Sequence, residues 1–284
     1  MRIKDKYISP FTDFGFKKLF GSEPNKDILI DFLNELLQKD TGRITDLTYL
    51  SPEQLGRDAD SRKAIFDIYC ESESGEKFIV ELQKAKQNYF KDRSIYYSTF
   101  PIQQQAEKGD WNFKLNAVYT IGILDFVFDE DKHDSAVFHH EVQLIDKKTN
   151  KVFYDKLTYV YLEMPKFNKT ENELETHFDK WLYVLKNLED LSSRPVKLQE
   201  RIFAKLFEQA ALGNYTEAEY AAYEESLKIY RDLKNSIDTA FDDGKAEGEI
   251  ETLRLIAKKM KQKGDPVSTI IELTGLSQSQ IDKL

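Results

Sequence analysis

Residues 65–85 read IFDIYCESESGEKFIVELQKA, and no other stretch limits so sharply what this chain can fold into. The runs AIFDIYC and KFIVELQ are rich in Ile, Val, Phe and Tyr, and the polar run ESESGE with Gly75 joins them. That pattern predicts two antiparallel strands. With the turn centred near Ser74, paired positions sum to about 148, so Asp67 falls opposite Glu81. Alternation then puts Gln83 on the face of the two acids, and Phe66, Ile68, Val80 and Leu82 on the other. Like charges directly across a strand pair destabilise it, and burial raises a carboxylate's pKa. A bound cation answers both objections, and oxygen ligands of this kind suit Mg²⁺ or Mn²⁺. A solvated face answers them too, because one face of an antiparallel hairpin is often wet.

The rest of the chain must supply a core for this hairpin. With 284 residues, 40% of them hydrophobic and 13% aromatic, it can bury one large core with a helical appendage. The lone Cys70 excludes an intramolecular disulfide. No apolar run approaches a membrane span or follows a basic leader, so a cytoplasmic protein with no membrane partner is expected. Four histidines offer little for zinc: His139 and His140 are adjacent on a strand-like run and face opposite ways, and His133 and His177 lack a ligand-spaced partner.

The net charge of −9 argues at first against a polyanionic partner. Residues 171–251, however, hold 19 acids and 10 Lys or Arg, so the whole excess lies there and the rest is neutral. Lys84, Lys86, Lys91 and Arg93 follow the acidic hairpin directly, a basic rim compatible with phosphate and equally with an ordinary solvated loop.

Periodicity orders the elements. SPFTDFGFKKLFGSEPNKDILIDFLNELLQ predicts a short helical turn and then a helix from about Asn25 to Gln38. ITDLTYL is a strand, the hairpin follows, and FKDRSIYYSTFPIQQQAEKG reads as a helix interrupted at Pro101 and ended by Gly109. NAVYTIGILDFVF, VFHHEVQLID and KLTYVYLEMPKF are further strands, the last two joined across KKTNK. The expected fold is α/β, a mixed sheet flanked by helices and followed by an α-helical C-terminal region. Capping boxes at Thr170 with Glu173 and Thr216 with Glu219 predict long helices, and Gly244 with Gly248 predicts a bend or a frayed joint in the second. Three regions result: a core over 1–168, an acidic helical region over 169–243, and a tail over 244–284. In that tail Asp265, Pro266, Gly275 and Ser277 with Gln280 permit a small helix-turn-helix. Its last helix carries only Lys283 as a base, which favours packing or homo-oligomer formation over reading DNA.

Taken in order, TDFGFKKLFG, FLNELL, the strand Asp followed by VELQ, RSIYY, QQQAEKGDWNF, YTIGILDF and LEMPKF resemble the PD-(D/E)XK nuclease-fold transposases, also called recombination-promoting nucleases. The resemblance runs from about Ile8 into the acidic helices, and GKAEGEIE with TGLSQSQI also looks like that family's ends. It implies a restriction-endonuclease-like core over 1–168 and a Mg²⁺-dependent DNA endonuclease, with Mn²⁺ as a substitute, linked to recombination or mobile elements. It also implies metal ligation by Asp67, Glu81 and the main-chain carbonyl of Leu82. Two positions depart from the motif: Phe66 stands where its proline would be, and Gln83 where its lysine would be, a substitution this family commonly shows. A neutral amide can position a water yet supplies no charge. Lys84 should point to the opposite face, whereas Lys63, at even spacing from Asp67, could reach the site or be a plain surface lysine. Arg93, Tyr97 and Gln104 share one helix face, where related nucleases contact the scissile phosphate; Tyr97 suits core packing equally well.

The mechanism so implied has Asp67 and Glu81 holding the cation, Gln83 orienting a water, and Arg93 holding a phosphate oxygen. Because fold does not guarantee function, a catalytically weak or inactive DNA-binding or interaction protein is the alternative.

Overall fold

The computed structural model describes residues 6–54, 64–106, 111–134 and 136–284. Two compact units divide the chain, Met1–Tyr230 and Arg231–Leu284.

In the first unit the hairpin forms as its sequence predicts. Strand β4 (Ile68–Ser72) pairs antiparallel with β5 (Lys77–Gln83), Ile68 opposite Val80 and Cys70 opposite Phe78, across a turn whose Gly75 takes the left-handed φ of 92°. Left-handed backbone there favours glycine, and a Cβ would also meet the Asn116 amide at 2.6 Å. Around the hairpin lie β1 (Leu47–Tyr49), β6 (Val118–Leu124), β7 (His139–Asp146) and β8 (Lys151–Glu163) in a six-stranded sheet of order β1-β4-β5-β6-β8-β7. The pairings β5 with β6 and β6 with β8 are parallel and the others antiparallel, so the sheet is mixed. A separate ribbon pairs β2 (Glu53–Gln54) with β3 (Ala64–Ile65).

Helices cover both faces, as parallel strands require. On one face α1 (Asp13–Phe20), α2 (Lys26–Thr41), α4 (His177–Asn187), α5 (Arg201–Ala210) and the start of α6 (Glu217–Lys263) bury the main core, in which Phe20, Phe32, Trp181 and Phe203 pack against one another and against Ile68, Phe78, Val80 and Leu82 of the hairpin. The helices of residues 171–230 therefore belong to the same core as the sheet. On the other face lies α3 (Phe90–Gln104), over Tyr69, Ile79, Leu124, Tyr159 and Tyr161.

Three local expectations are corrected. Phe66 does not join Ile68, Val80 and Leu82; it packs with Tyr69, Ile79, Tyr97 and Phe100 under α3. The cause is a bend at Asp67 between β3 and β4, which breaks the alternation assumed for one continuous strand. Pro101 does not interrupt α3, which runs on to Gln104, because a proline so near the end removes one terminal bond only. The Thr170 and Glu173 box opens a three-residue 3-10 turn, Glu171–Glu173, and α4 starts instead at a second box, Thr176 with Asp179. The Gly109 stop lies outside the described residues.

In the second unit Ala257, Ile270, Leu276 and Ile281 form a small core joining α6 to α7 (Val267–Thr274) and α8 (Gln278–Asp282), with Gly275 left-handed at φ 68°. No frayed joint interrupts α6 at Gly244 and Gly248, where the helix runs unbroken through both glycines. Among the described residues no helix is long and apolar enough to cross a membrane.

Candidate active site

Where β4 ends at Ile68, β5 continues to Gln83, so the last residues of β5 face a gap in the ladder. Along β5, Lys77 N–H bonds Ala117 and Gln83 C=O accepts from Asp125 N–H, both toward β6. Odd-numbered residues thus serve β6, and the main-chain groups of Leu82 face the β4 side. The Asp67 carboxylate fills that gap: its Oδ2 accepts the Leu82 N–H at 2.7 Å. In return the Asp67 N–H donates to Glu81 Oε1 at 3.2 Å, and Gln83 Nε2 donates to Glu81 Oε2 at 3.1 Å. Asp67, Glu81 and Gln83 are therefore one hydrogen-bonded group.

Its electrostatics are those of two acids held out of water. Glu81 is only 7% exposed, and burial pushes its carboxyl up to about 8, with the Asp67 charge adding to the shift and Arg93 opposing it. Burial also raises Asp67, against the Leu82 N–H bond and the charges of Lys17 and Lys84. Arg93, one turn into α3, stacks its guanidinium over the Phe90 and Tyr97 rings at 5.6 and 5.5 Å. Tyr97 is half in the core against Phe66, and burial raises its hydroxyl.

Not every residue singled out in the sequence reaches this group. Gln104 lies eleven residues along α3 from Arg93, about 16 Å of helix, where it accepts from Tyr69 Oη at 2.9 Å and donates to Gln54. Lys63 lies outside the described residues. Sequence reasoning missed the part played by α1. Asp13 and Lys17, ion-paired at 3.0 Å, lie close enough for their charges to act on both Asp67 and Lys84, and burial lowers the Lys84 pKa. Lys84 was expected on the far face; β5 stops at Gln83, so strand alternation no longer governs it. Nothing short of the tertiary fold could have linked FGFKKLF to the hairpin, although the tight start of α1 is legible: Thr12 Oγ1 accepts from Gly15 N–H, and a Cβ on Gly15 would strike Ser9 O at 2.1 Å.

The donor set fits a hard divalent cation. Two carboxylates and the Leu82 carbonyl are all oxygen, and a cation between the acids removes the repulsion and the burial penalty together. Among the described residues no group of three or more His, Cys, Asp and Glu is placed to hold a metal, so water or phosphate would complete the shell, as Mg²⁺ prefers.

A family model described as PD-(D/E)XK nuclease family transposase matches residues 10–240. Comparison with curated proteins and with solved structures returned no match.

Proposed function

This chain belongs to the PD-(D/E)XK nuclease family of transposases, and from that premise we propose that it is a divalent-metal-dependent DNA endonuclease acting in recombination or mobile-element movement, in the cytoplasm. The observation that carries the reading is the bonded group itself: two acids, one of them buried, share backbone and amide hydrogen bonds beside a free strand end. Asp67, Glu81 and the Leu82 carbonyl would hold Mg²⁺, or Mn²⁺ in its place. When bound, such an ion lowers the pKa of a water and offsets charge on phosphate oxygens.

The chain's own residues do the remainder. Gln83 aligns the attacking water by hydrogen bonding, which an amide does without adding charge. Arg93, kept in plane by the rings of Phe90 and Tyr97, holds a non-bridging phosphate oxygen. Lys84 supplies the positive charge that the motif lysine would have given, since Asp13 neutralises Lys17. The C-terminal helices serve self-association.

Nicking of supercoiled plasmid in Mg²⁺ by the parent protein, set beside its Asp67→Asn form, tests this. Loss of nicking in the variant with an unchanged melting temperature is the expected result. Equal nicking by both would trace the activity to a contaminant or to another site and make a DNA-binding protein whose acid pair does not catalyse the better reading.

A further inference from the structure

On the far side of α3 from the carboxylates lies a second concavity, and its walls are rings. A cavity of about 200 Å³ opens between α3 and the β7–β8 edge, lined by Phe128, Tyr159, Tyr161, His140, Lys91 and the half-exposed Ile95 and Val142. Tyr159 and Tyr161 lie nearly parallel, 20° apart, and Phe128 stands edge-on to Tyr161 at 86°. The walls are fixed from behind. Tyr159 Oη shares a hydrogen bond with Ser98 at 2.8 Å, and the wholly buried Glu163 accepts the Phe128 N–H at 2.5 Å while lying 3.3 Å from the His140 ring and 2.6 Å from Lys166. Lys91 holds its ammonium 4.4 Å over the Phe128 ring at the mouth, paired there with the exposed Glu130, a partner a phosphate can replace at little cost.

The cavity and the candidate active site share one face of the sheet. Glu81 pairs with Gly122, Gly122 with Tyr161, and Tyr161 with His140, so acid, ring and imidazole stand in one row on one face of the sheet. Two strand spacings, about 10 Å, separate Glu81 from Tyr161. The way round the N-terminal end of α3 passes Tyr89, an aromatic ring 80% exposed on a left-handed backbone, φ 62°, unusual for a residue with a side chain of this size.

Resting on the nuclease reading above, we propose that this cavity takes one unpaired nucleobase of the DNA substrate, a few nucleotides from the scissile phosphate, with Tyr89 stacking another on the path between. The chemistry of the walls selects the occupant: the parts of the Phe128, Tyr159 and Tyr161 rings that line the cavity accept a planar ring of any base, and Lys91 at the mouth meets the phosphate that follows it. The volume is below that of a pocket for a drug-sized ligand, which limits the guest to a single ring system. A base still paired in a duplex cannot enter. The preferred substrate is therefore DNA with an unpaired strand beside the cut, such as a flap or a frayed end, in preference to blunt duplex.

The test reads binding without metal, so that it is independent of cleavage. Flap oligonucleotides carrying 2-aminopurine singly at successive positions are titrated with the full-length protein in EDTA. Quenching at one or two positions of the unpaired arm is expected, with blunt duplex of the same length unquenched. Val142→Trp and Ile95→Trp, which fill the mouth from opposite walls at half-exposed positions, should each weaken flap binding roughly tenfold, within the worth of one base stacked on an aromatic side chain, and leave the melting temperature unchanged. Absence of quenching at every position, or parental affinity in both folded variants, overturns the proposal. Site-specific quenching in a protein that fails to nick DNA in Mg²⁺ upholds the cavity and counts against the nuclease reading alone.

Discussion

Glu81 carries the clearest consequence of burial. Its folded-state pKa is raised to about 8, well above that of an unfolded glutamate, so the metal-free fold binds a proton that the unfolded chain has released. The sign follows directly. Stability from this group is full below the unfolded value and is lost as pH rises through about 8, a loss on the order of a few kcal/mol. Asp67, raised in the same direction, adds to it. The melting temperature in EDTA should therefore fall between pH 5 and pH 8.5, and Glu81→Gln should flatten that fall, since rotating the Gln83 amide preserves its bond to residue 81. A melting curve whose pH dependence is the same in parent and variant would count against a buried, protonated Glu81. Metal should reverse the trend, stabilising more as pH rises, because both acids must be ionised to hold it. Gln83→Ala removes alignment of the water and the amide bond to Glu81, but no metal ligand. It should slow Mg²⁺-dependent nicking by about ten- to a hundredfold, where Asp67→Asn abolishes it.

Between elements, what could be read from the sequence follows the range over which its causes act. The β4–β5 register was legible because a Gly75 turn is local, and the pairing of Ile68 with Val80 puts Asp67 across from Glu81 as the sum near 148 requires. Phe66 was misplaced because a bend at Asp67 leaves no mark in the alternation of hydrophobic residues. The parallel order β5, β6, β8 was not legible, since it depends on which strands a crossover brings together, and with it went the row from Glu81 through Gly122 to His140 and the approach of α1 to the acids. That row gives an element-scale prediction. A Cβ at Gly122 would lie 2.9 Å from Tyr161 Cδ1 and 3.3 Å from Leu124 Cδ2, and the Tyr161 ring is packed under α3 against Phe90 and Phe128. Gly122→Ala should destabilise the protein by about 1–3 kcal/mol, read by urea unfolding, because the added methyl must push the Tyr161 ring out of its packing with Phe90 and Phe128. An unchanged midpoint would mean that α3 rides over β6 more loosely than its contacts imply.

Across the whole molecule the puzzle is a chain of charge −9 whose proposed substrate is a polyanion. Part of the answer is where the charge sits: the whole excess falls within residues 171–251, while the site lies on 67–97. The cations near the site are also largely spoken for, Lys17 by Asp13, Lys86 by Asp129 and Lys91 by Glu130, so few remain to displace counterions from DNA. Among the described residues, Arg93 and Lys84 are the two cations at the acids for which no such ion pair forms. Each phosphate neutralised by Lys or Arg contributes about 0.9 to the fall of log K with log salt on duplex DNA, and about 0.7 on single strands. Two to four such contacts, counting Lys91 once a phosphate replaces Glu130, give a slope near −2 to −3, far shallower than that of a protein that grips DNA by a basic surface. Affinity must then come mainly from stacking, which is nearly indifferent to salt, with the bound cation adding one further phosphate contact to the slope. Titration of a labelled flap DNA at several salt concentrations, with Ca²⁺ present to hold the site without cutting, measures the slope directly. A value of −6 or steeper would mean that the acidic helices do not set the field the DNA meets, and that a broad basic surface binds it instead.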